Sequence, residues 1–338
     1  MSAQTESLHY YAKRRLDLKD IFSRVRGGSS LRDIGRVIGC SRSAVAHAVV
    51  RLGRQAIASH CAVLAGLEAS GTFVLDGLLS AVASRDYSSH ITTLVDASSE
   101  MVLAMTHCVT ERGGTRTARQ QRRIQAKRQV WRPQAGALSD AISLLFHELP
   151  RFSPLASMTI DFDEYPLYPK LLADDLALRW YASHQLLRIR RTPGGAARTT
   201  ANPLFAVNYV DRMIRHRLKE HTRESIAIGR DSTMQMLRMW IFAWDHNVNQ
   251  PHRVKPARAP SRAEAAGVAP SLLTVLTRGF YSRRVSLRSL VIPESMRRIW
   301  LSRLESPPTR RSITQFSSGP SVPAYALRDL ACALPQAP

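Results

Sequence analysis

Cysteine is scarce in this sequence, and the four that occur are not spaced as ligands or partners. They are scattered over 338 residues, at Cys40, Cys61, Cys108 and Cys332. Because no CxxC pair is present, the spacing excludes a zinc ribbon and gives no disulfide framework. This usage is typical of a protein from a reducing compartment.

Long apolar runs are absent as well. The first fifteen residues, MSAQTESLHYYAKRR, contain no continuous apolar segment, so we expect no signal peptide here. No stretch of about 18 apolar residues is free of charge, so we expect no transmembrane helix. We therefore expect a soluble cytoplasmic protein.

Acidic residues are outnumbered almost two to one. There are 26 Asp and Glu against 48 Lys and Arg, which gives a formal net charge of +22. Such a surplus attracts polyanions, and nucleic acid is a more usual partner than an anionic membrane. The alternative is a generally arginine-rich composition without a specific partner.

Length and local composition divide the chain into three regions. Residues 1–65 read mainly as helices. Residues 66–250 alternate between strand-like and helix-like patterns. Residues 251–338 are rich in Pro, Arg and Ser, and we expect a basic, partly disordered tail there.

Residues 29–52, SSLRDIGRVIGCSRSAVAHAVVRL, predict two helices joined by a tight turn at Gly39. Ser29 or Ser30 can cap the first helix, and Ser41 can cap the second. This pattern predicts a helix-turn-helix, with a plain helical hairpin as the alternative. The outward positions of the second helix are polar or cationic, as a major-groove recognition helix requires: Arg42, Ser43, His47 and Arg51.

The middle region has the order of an α/β fold. Two further strands follow the first one closely, and a fourth and a fifth come later, between helices. This order predicts a mixed sheet with helices on both faces. The strand candidates are residues 71–77, 90–97, 100–109, 155–166 and 185–190.

Acidic residues occur at the ends of two of these strands. Asp76 is expected to end the first strand and Asp163 the fourth, and adjacent strands would bring the two carboxylates together. Such an oxygen-rich site suits Mg²⁺ or Mn²⁺. The helix at 203–228 offers a third acid, with Asp211, Glu220 and Glu224 as candidates. The alternative is that these acids are ordinary turn residues, caps or exposed helix acids.

Residues 202–247 carry the most specific pattern. The run NPLFAVNYVDR is followed by HTRES and then by a helix that ends in HN. This block resembles the catalytic block of bacterial insertion-sequence transposases of an IS1-like type. Three shorter pieces agree in order, namely VLDGLLSA, TERGGTRTARQ and TIDFDEYPLY.

The resemblance implies an RNase H-like catalytic domain with a DDE or DDD triad that holds two divalent metal ions. It implies Asp76 as the first acid and Asp163, in preference to its neighbour Asp161, as the second. Asp211 is implied as the third acid, with Glu220 as the alternative.

Other polar residues match family positions or flank the site. Arg215 lies one helical turn after Asp211 and would contact the scissile phosphate or pair with that acid. His221 and Arg223 are expected either to touch DNA or to be structural. His184 and Arg198 flank a Gly-rich loop and would either bind the donor strand or be solvated.

The sequence thus predicts a transposase that cleaves DNA at the ends of its element and transfers the strand into target DNA. We expect its partners to be double-stranded DNA, as inverted-repeat ends and as target, and a homo-oligomer assembled on it. We expect it at the bacterial nucleoid. The alternative is a helix-turn-helix DNA-binding protein, domesticated or inactive, that does not cleave.

Overall fold

A computed structural model describes residues 6–222, 225, 227–253, 255, 259–286 and 290–308. The chain forms two compact units. Of the described residues, the first unit contains those from 6 to 68 and from 236 to 302, and the second contains those from 69 to 235 and from 303 to 308. These divisions differ from the sequence-based boundaries at 65 and 250.

The first unit is helical. Its core consists of apolar side chains from both of its chain segments, among them Phe22, Leu52, Ile57, Phe280 and Met296. Its helices are α1 (Leu18–Arg26), α2 (Leu31–Val37), α3 (Arg42–Leu64), most of α9 (Ser232–Trp244), α10 (Arg262–Ala265), α11 (Pro270–Gly279) and α12 (Glu294–Trp300).

The connection between α2 and α3 follows the sequence-based prediction. The Ser30 side chain accepts a hydrogen bond from the backbone of Asp33, and Ser41 caps α3 in the same way. Gly39 adopts φ +63°, which favours glycine. A Cβ on Gly35 would lie 2.7 Å from the carbonyl oxygen of Cys40, so a close backbone approach requires glycine here too.

Helix α3 extends beyond residue 52, where the pattern that predicted the second helix ends. It has 23 residues, and its second half is buried. Arg54 in that half donates to the carbonyl of Trp300 and lies over its ring, 5.2 Å from the centroid. The expected tail therefore supplies part of the core of this unit up to Trp300, and residues 309–338, including Cys332, lie outside the described part of the chain.

The second unit contains a five-stranded mixed sheet. Its strands are β1 (Thr72–Val82), β2 (Ser84–Asp96), β3 (Val102–Glu111), β4 (Met158–Asp163) and β5 (Leu187–Thr192). The order across the sheet is β3-β2-β1-β4-β5. The first three strands are antiparallel, whereas β4 and β5 run parallel to β1.

Helices flank this sheet. Helix α5 packs on β3 and β2, and α8 packs on β1 and β2. Side chains alternate between the faces of a strand. Accordingly Phe73 contacts Phe152 on one face of β1, while the Ser80 hydroxyl on the other face donates to the carbonyl of Glu220. The helices of the unit are α4 (Ala118–Arg128), α5 (Ala137–Glu148), α6 (Leu167–Asp174), α7 (Leu176–Ser183), α8 (Phe205–Arg217) and the start of α9.

The predicted mixed α/β sheet flanked by helices is thereby confirmed. Among the described residues, no helix is long and apolar enough to cross a membrane. Cys40, Cys61 and Cys108 are free thiols.

Candidate functional site

Asp76 lies in the middle of β1, and the expectation that it ends the strand was wrong. The strand continues to Val82, and Asp76 itself pairs with Thr93 of β2. Gly77 lies under the ring of His90. A Cβ at Gly77 would be 2.6 Å from His90 Cε1, so the glycine makes room for that ring and does not turn the chain.

Asp163 is the last residue of β4, as predicted. The parallel register matches Val74 of β1 with Asp161 of β4. Asp76 and Asp163 therefore each lie two residues further along, on the same face of adjacent strands, which are spaced about 4.8 Å apart. Asp163 Oδ1 accepts a hydrogen bond of 2.9 Å from the backbone of Tyr165.

The neighbouring Asp161 has a different role. Its side chain is 1% exposed and accepts hydrogen bonds from both Nε and Nη2 of Arg190 on β5. This ion pair occupies both of its oxygens. The geometry therefore favours Asp163 over Asp161 as the second acid of the site.

Asp211 is the seventh residue of α8, in the middle of the helix. It is 8% exposed because α8 packs against β1 and β2. Burial, followed by the charge of Asp76, raises the pKa of Asp211 to about 8, against the opposing effect of Arg215. Its Oδ1 is buried, and no described group forms a hydrogen bond with it.

The pKa of Asp76 is also raised, to about 6. Burial is the largest cause; the charge of Asp163 adds to it, while a hydrogen bond from Gly77 and the charges of Arg198 and Arg215 oppose it. Asp76 is thus coupled to both of the other predicted acids. The three acids, which are 135 residues apart from first to last (211 − 76), form one electrostatic cluster.

Tyr168 is a site residue that the sequence analysis missed. Its ring is 2% exposed and contacts Phe162 at a centroid distance of 5.2 Å. Burial and the charges of the nearby acids, with Asp76 the strongest, raise its pKa. Tyr168 is the last residue of the run DEYPLY, which begins with the second acid, Asp163, and this proximity in sequence was the available signal.

The two arginines suggested by sequence, Arg215 and Arg198, act on the cluster. Both charges lower the pKa of Asp76, so both guanidinium groups lie near it. Arg198 is exposed and belongs to the Gly-rich loop between β5 and α8. His184, by contrast, stacks on Trp180 at 4.2 Å and bonds to its carbonyl at the end of α7.

Glu220 is less well placed than Asp211. Helix α8 ends at Arg217, and Glu220 belongs to a short 3-10 turn whose backbone is tied to Ser80. Ser80 is four residues beyond Asp76 on β1, about 13 Å away along the strand. His221 of this turn is fully buried, which favours its structural role. Glu224 and Arg223 lie outside the described residues.

The chemistry of the cluster fits a cation, although its present geometry is not a ligand sphere. In the described part of the chain, no three His, Cys, Asp or Glu side chains are grouped so as to hold a metal ion. Asp76 Oδ1 accepts a 2.6 Å hydrogen bond from the backbone of Gly77. The buried Asp211 oxygen without a partner and the mutual repulsion of the acids are features that a divalent cation would relieve.

The predicted recognition face of α3 is partly accessible. Arg42, Ser43 and His47 are exposed, and Arg51 is half-buried. Part of this face lines a cavity of about 420 Å³. The N-terminal segment forms the other side of that cavity with His9, Tyr11, Ala12, Lys13, Arg14 and Leu16.

The arginine-rich helix α4 divides its cations between two roles. Arg123 and Lys127 both pair with Asp86 of β2, a carboxylate that is only 3% exposed. These pairs attach the helix to the sheet. Arg119 and Arg122 are exposed and remain directed toward solvent.

No protein-family model matches the chain, and no curated protein matches it either.

Proposed function

We propose that the chain is a DNA transposase with an RNase H-like catalytic domain of the DDD type. The observation that carries the proposal is the cluster of Asp76, Asp163 and Asp211, drawn from two strands and a helix and coupled through their charges. The mixed five-stranded sheet is compatible with an RNase H-like domain. Perturbed, buried carboxyl groups of this kind are typical of catalytic sites.

The same three carboxylates would hold Mg²⁺ or Mn²⁺. Bound divalent ions supply charge that activates an attacking oxygen and stabilises a leaving one in phosphodiester displacement. The protein's own residues position the metal ligands. Asp76 is fixed within β1, while the raised pKa of Asp211 keeps this acid protonated at neutral pH until a cation competes for it.

Two arginines favour a phosphodiester as the substrate. Arg215 and Arg198 lie beside the acids, and their guanidinium groups match phosphate oxygens. In the proposed reaction, water attacks the phosphodiester at the end of the element and leaves a 3′-hydroxyl, which then attacks a phosphodiester of the target DNA.

The helical pair α2 and α3 would serve as a helix-turn-helix that reads the inverted-repeat ends with Arg42, Ser43, His47 and Arg51. Exposed cations such as Arg119 and Arg122 would add sequence-independent phosphate contacts. Because two DNA ends must be held together, we propose a homo-oligomer assembled on DNA in the bacterial cytoplasm, at the nucleoid.

The test is cleavage and joining by purified protein with Mg²⁺ or Mn²⁺. The substrate is linear DNA that carries the sequences flanking the coding region. Asp163→Asn is compared with Asp174→Asn, which changes an exposed carboxyl at the end of α6. We expect metal-dependent products from wild type and Asp174→Asn, and none from Asp163→Asn although it still binds DNA.

If wild type and both variants bind DNA and none of them cleaves it, the proposed catalytic activity is refuted. It would favour the second candidate, a helix-turn-helix DNA-binding protein with an inherited but inactive site. The capped helical pair α2 and α3, with Arg42, Ser43 and His47 exposed, is the observation that favours this candidate.

A further inference from the structure

The edge of the sheet next to the acids is unusually basic. Strand β5 is an edge strand, and four of its six residues are exposed, namely Arg188, Ile189, Arg190 and Arg191. Charged side chains on an edge strand hinder unwanted pairing with other strands. That explanation applies equally to both faces of the strand, so it does not explain an arrangement of arginines that is found on one face only.

The register assigns these side chains to opposite faces. Arg188 is paired with Thr159 of β4, and Arg190 with Asp161, which puts both arginines on the face that carries Asp163. Arg191 is paired with the core residue Phe162 and therefore belongs to the other face.

Arg190 is held in place on the acid face. Its Nε and Nη2 donate to the buried carboxylate of Asp161, yet its side chain remains 43% exposed. A guanidinium group has five N–H donors, so donors remain for a phosphate oxygen after two of them are used. Arg188 is exposed, and no ion pair to it occurs in the described part of the chain.

The strand leads to the acids. From Arg188 to Thr192, which is paired with Asp163, the chain advances four residues, about 13 Å. One strand of duplex DNA rises about 3.4 Å along the helix axis per phosphate, so a length of about 13 Å allows contacts with more than one phosphate. The following loop donates a 3.2 Å hydrogen bond from the backbone of Gly194 to Glu164, the residue after β4, and carries Arg198 to the neighbourhood of Asp76.

We propose that Arg188, Arg190 and Arg198 form a track for the phosphodiester backbone of the DNA strand that is cut, running along the acid face of β5 into the acid cluster. The ligand class is a nucleic-acid backbone, recognised by phosphate and not by base. The assignment rests on the proposed function, because it takes the acids as the point of cleavage.

The two exposed arginines on opposite faces of one strand provide a matched pair of variants. Full-length wild type, Arg188→Ala and Arg191→Ala are titrated with a fluorescein-labelled 25-base-pair duplex in EDTA, from 50 to 200 mM NaCl. The slope of log K against log salt concentration is negative, and losing one phosphate contact decreases its magnitude by about 0.9. We expect that decrease for Arg188→Ala, no change for Arg191→Ala, and restoration of the slope in Arg188→Lys.

Equal slopes for Arg188→Ala and Arg191→Ala would overturn the track, as would a decrease for Arg191→Ala alone. This outcome is separate from that of the cleavage experiment, since binding is measured without metal. If cleavage depends on Asp163 but Arg188→Ala and Arg191→Ala have equal slopes, the catalytic proposal stands and the phosphate track is wrong. If the two slopes differ but the protein never cleaves DNA, the binding surface stands and the catalytic proposal is wrong.

Discussion

Asp211 makes the stability of this protein depend on pH in an uncommon direction. Burial raises its pKa to about 8 from an ordinary value of 3.8. Between these two pH values the unfolded chain has lost the proton and the folded chain still holds it. The free energy of unfolding therefore falls as pH rises, by about 1.4 kcal/mol per pH unit for this one group.

Asp211→Asn removes the ionisable group, so the variant does not lose stability through this group as pH rises. Without metal, the stability of the variant relative to wild type should increase steadily from about pH 4 to about pH 8 and level off above that. The total gain is on the order of 5 kcal/mol. Any constant cost of the amide in the buried site shifts the whole curve but does not change its slope.

The assay is urea unfolding in EDTA at one-unit steps from pH 4 to pH 9. Asp174→Asn, which neutralises an exposed carboxyl, is the control, and its effect should stay within about 0.5 kcal/mol at each pH. A stability difference between Asp211→Asn and wild type that is constant with pH, or that grows toward acid, would refute the burial argument.

Two further predictions concern the acids and their support. Binding of Mn²⁺ at pH 7 should release about one proton, mainly from Asp211, and much less at pH 9, because carboxyl groups must be ionised to bind the metal. Calorimetry in two buffers with different ionisation enthalpies measures the number of protons released. Identical heats of binding in the two buffers at pH 7 would contradict the prediction. Gly77→Ala places a Cβ 2.6 Å from the His90 ring and should lower the free energy of unfolding by about 1–3 kcal/mol. Gly113→Ala, where nothing lies within 4 Å, is its control in urea unfolding, and equal stabilities would show that the ring moves freely.

Local patterns in the sequence were enough to predict much of the fold. Ser30 and Ser41 cap their helices as expected, because capping depends on residues only three positions apart. The five strands were found from their apolar runs, and the prediction that Asp76 and Asp163 occur on adjacent strands is confirmed. Asp211 was preferred as the third acid because of the family resemblance, and not because of its spacing from the other two acids.

The errors arise where distant segments meet. Asp76 and Gly77 read as the end of a strand, since nothing nearby in sequence reveals the ring of His90 thirteen residues later. After residue 250 an amphipathic stretch near 270–281 was recognisable, but the Pro- and Arg-rich composition hid α12, whose apolar side is buried in the first unit with Trp300 beside Arg54. Tyr168 was missed because its importance lies in burial beside the acids.

The continuation of β1 past Asp76 gives the two strand acids unequal freedom. Asp76 has ladder neighbours before and after it along β2, so its backbone is rigidly fixed. Asp163 is where β4 ends, and its carboxylate is supported by a hydrogen bond from the turn that follows. Asp76 thus has backbone support on both sides along its strand and Asp163 on one side only, so in the proposed cutting and joining steps we expect small changes in their separation to be accommodated at Asp163.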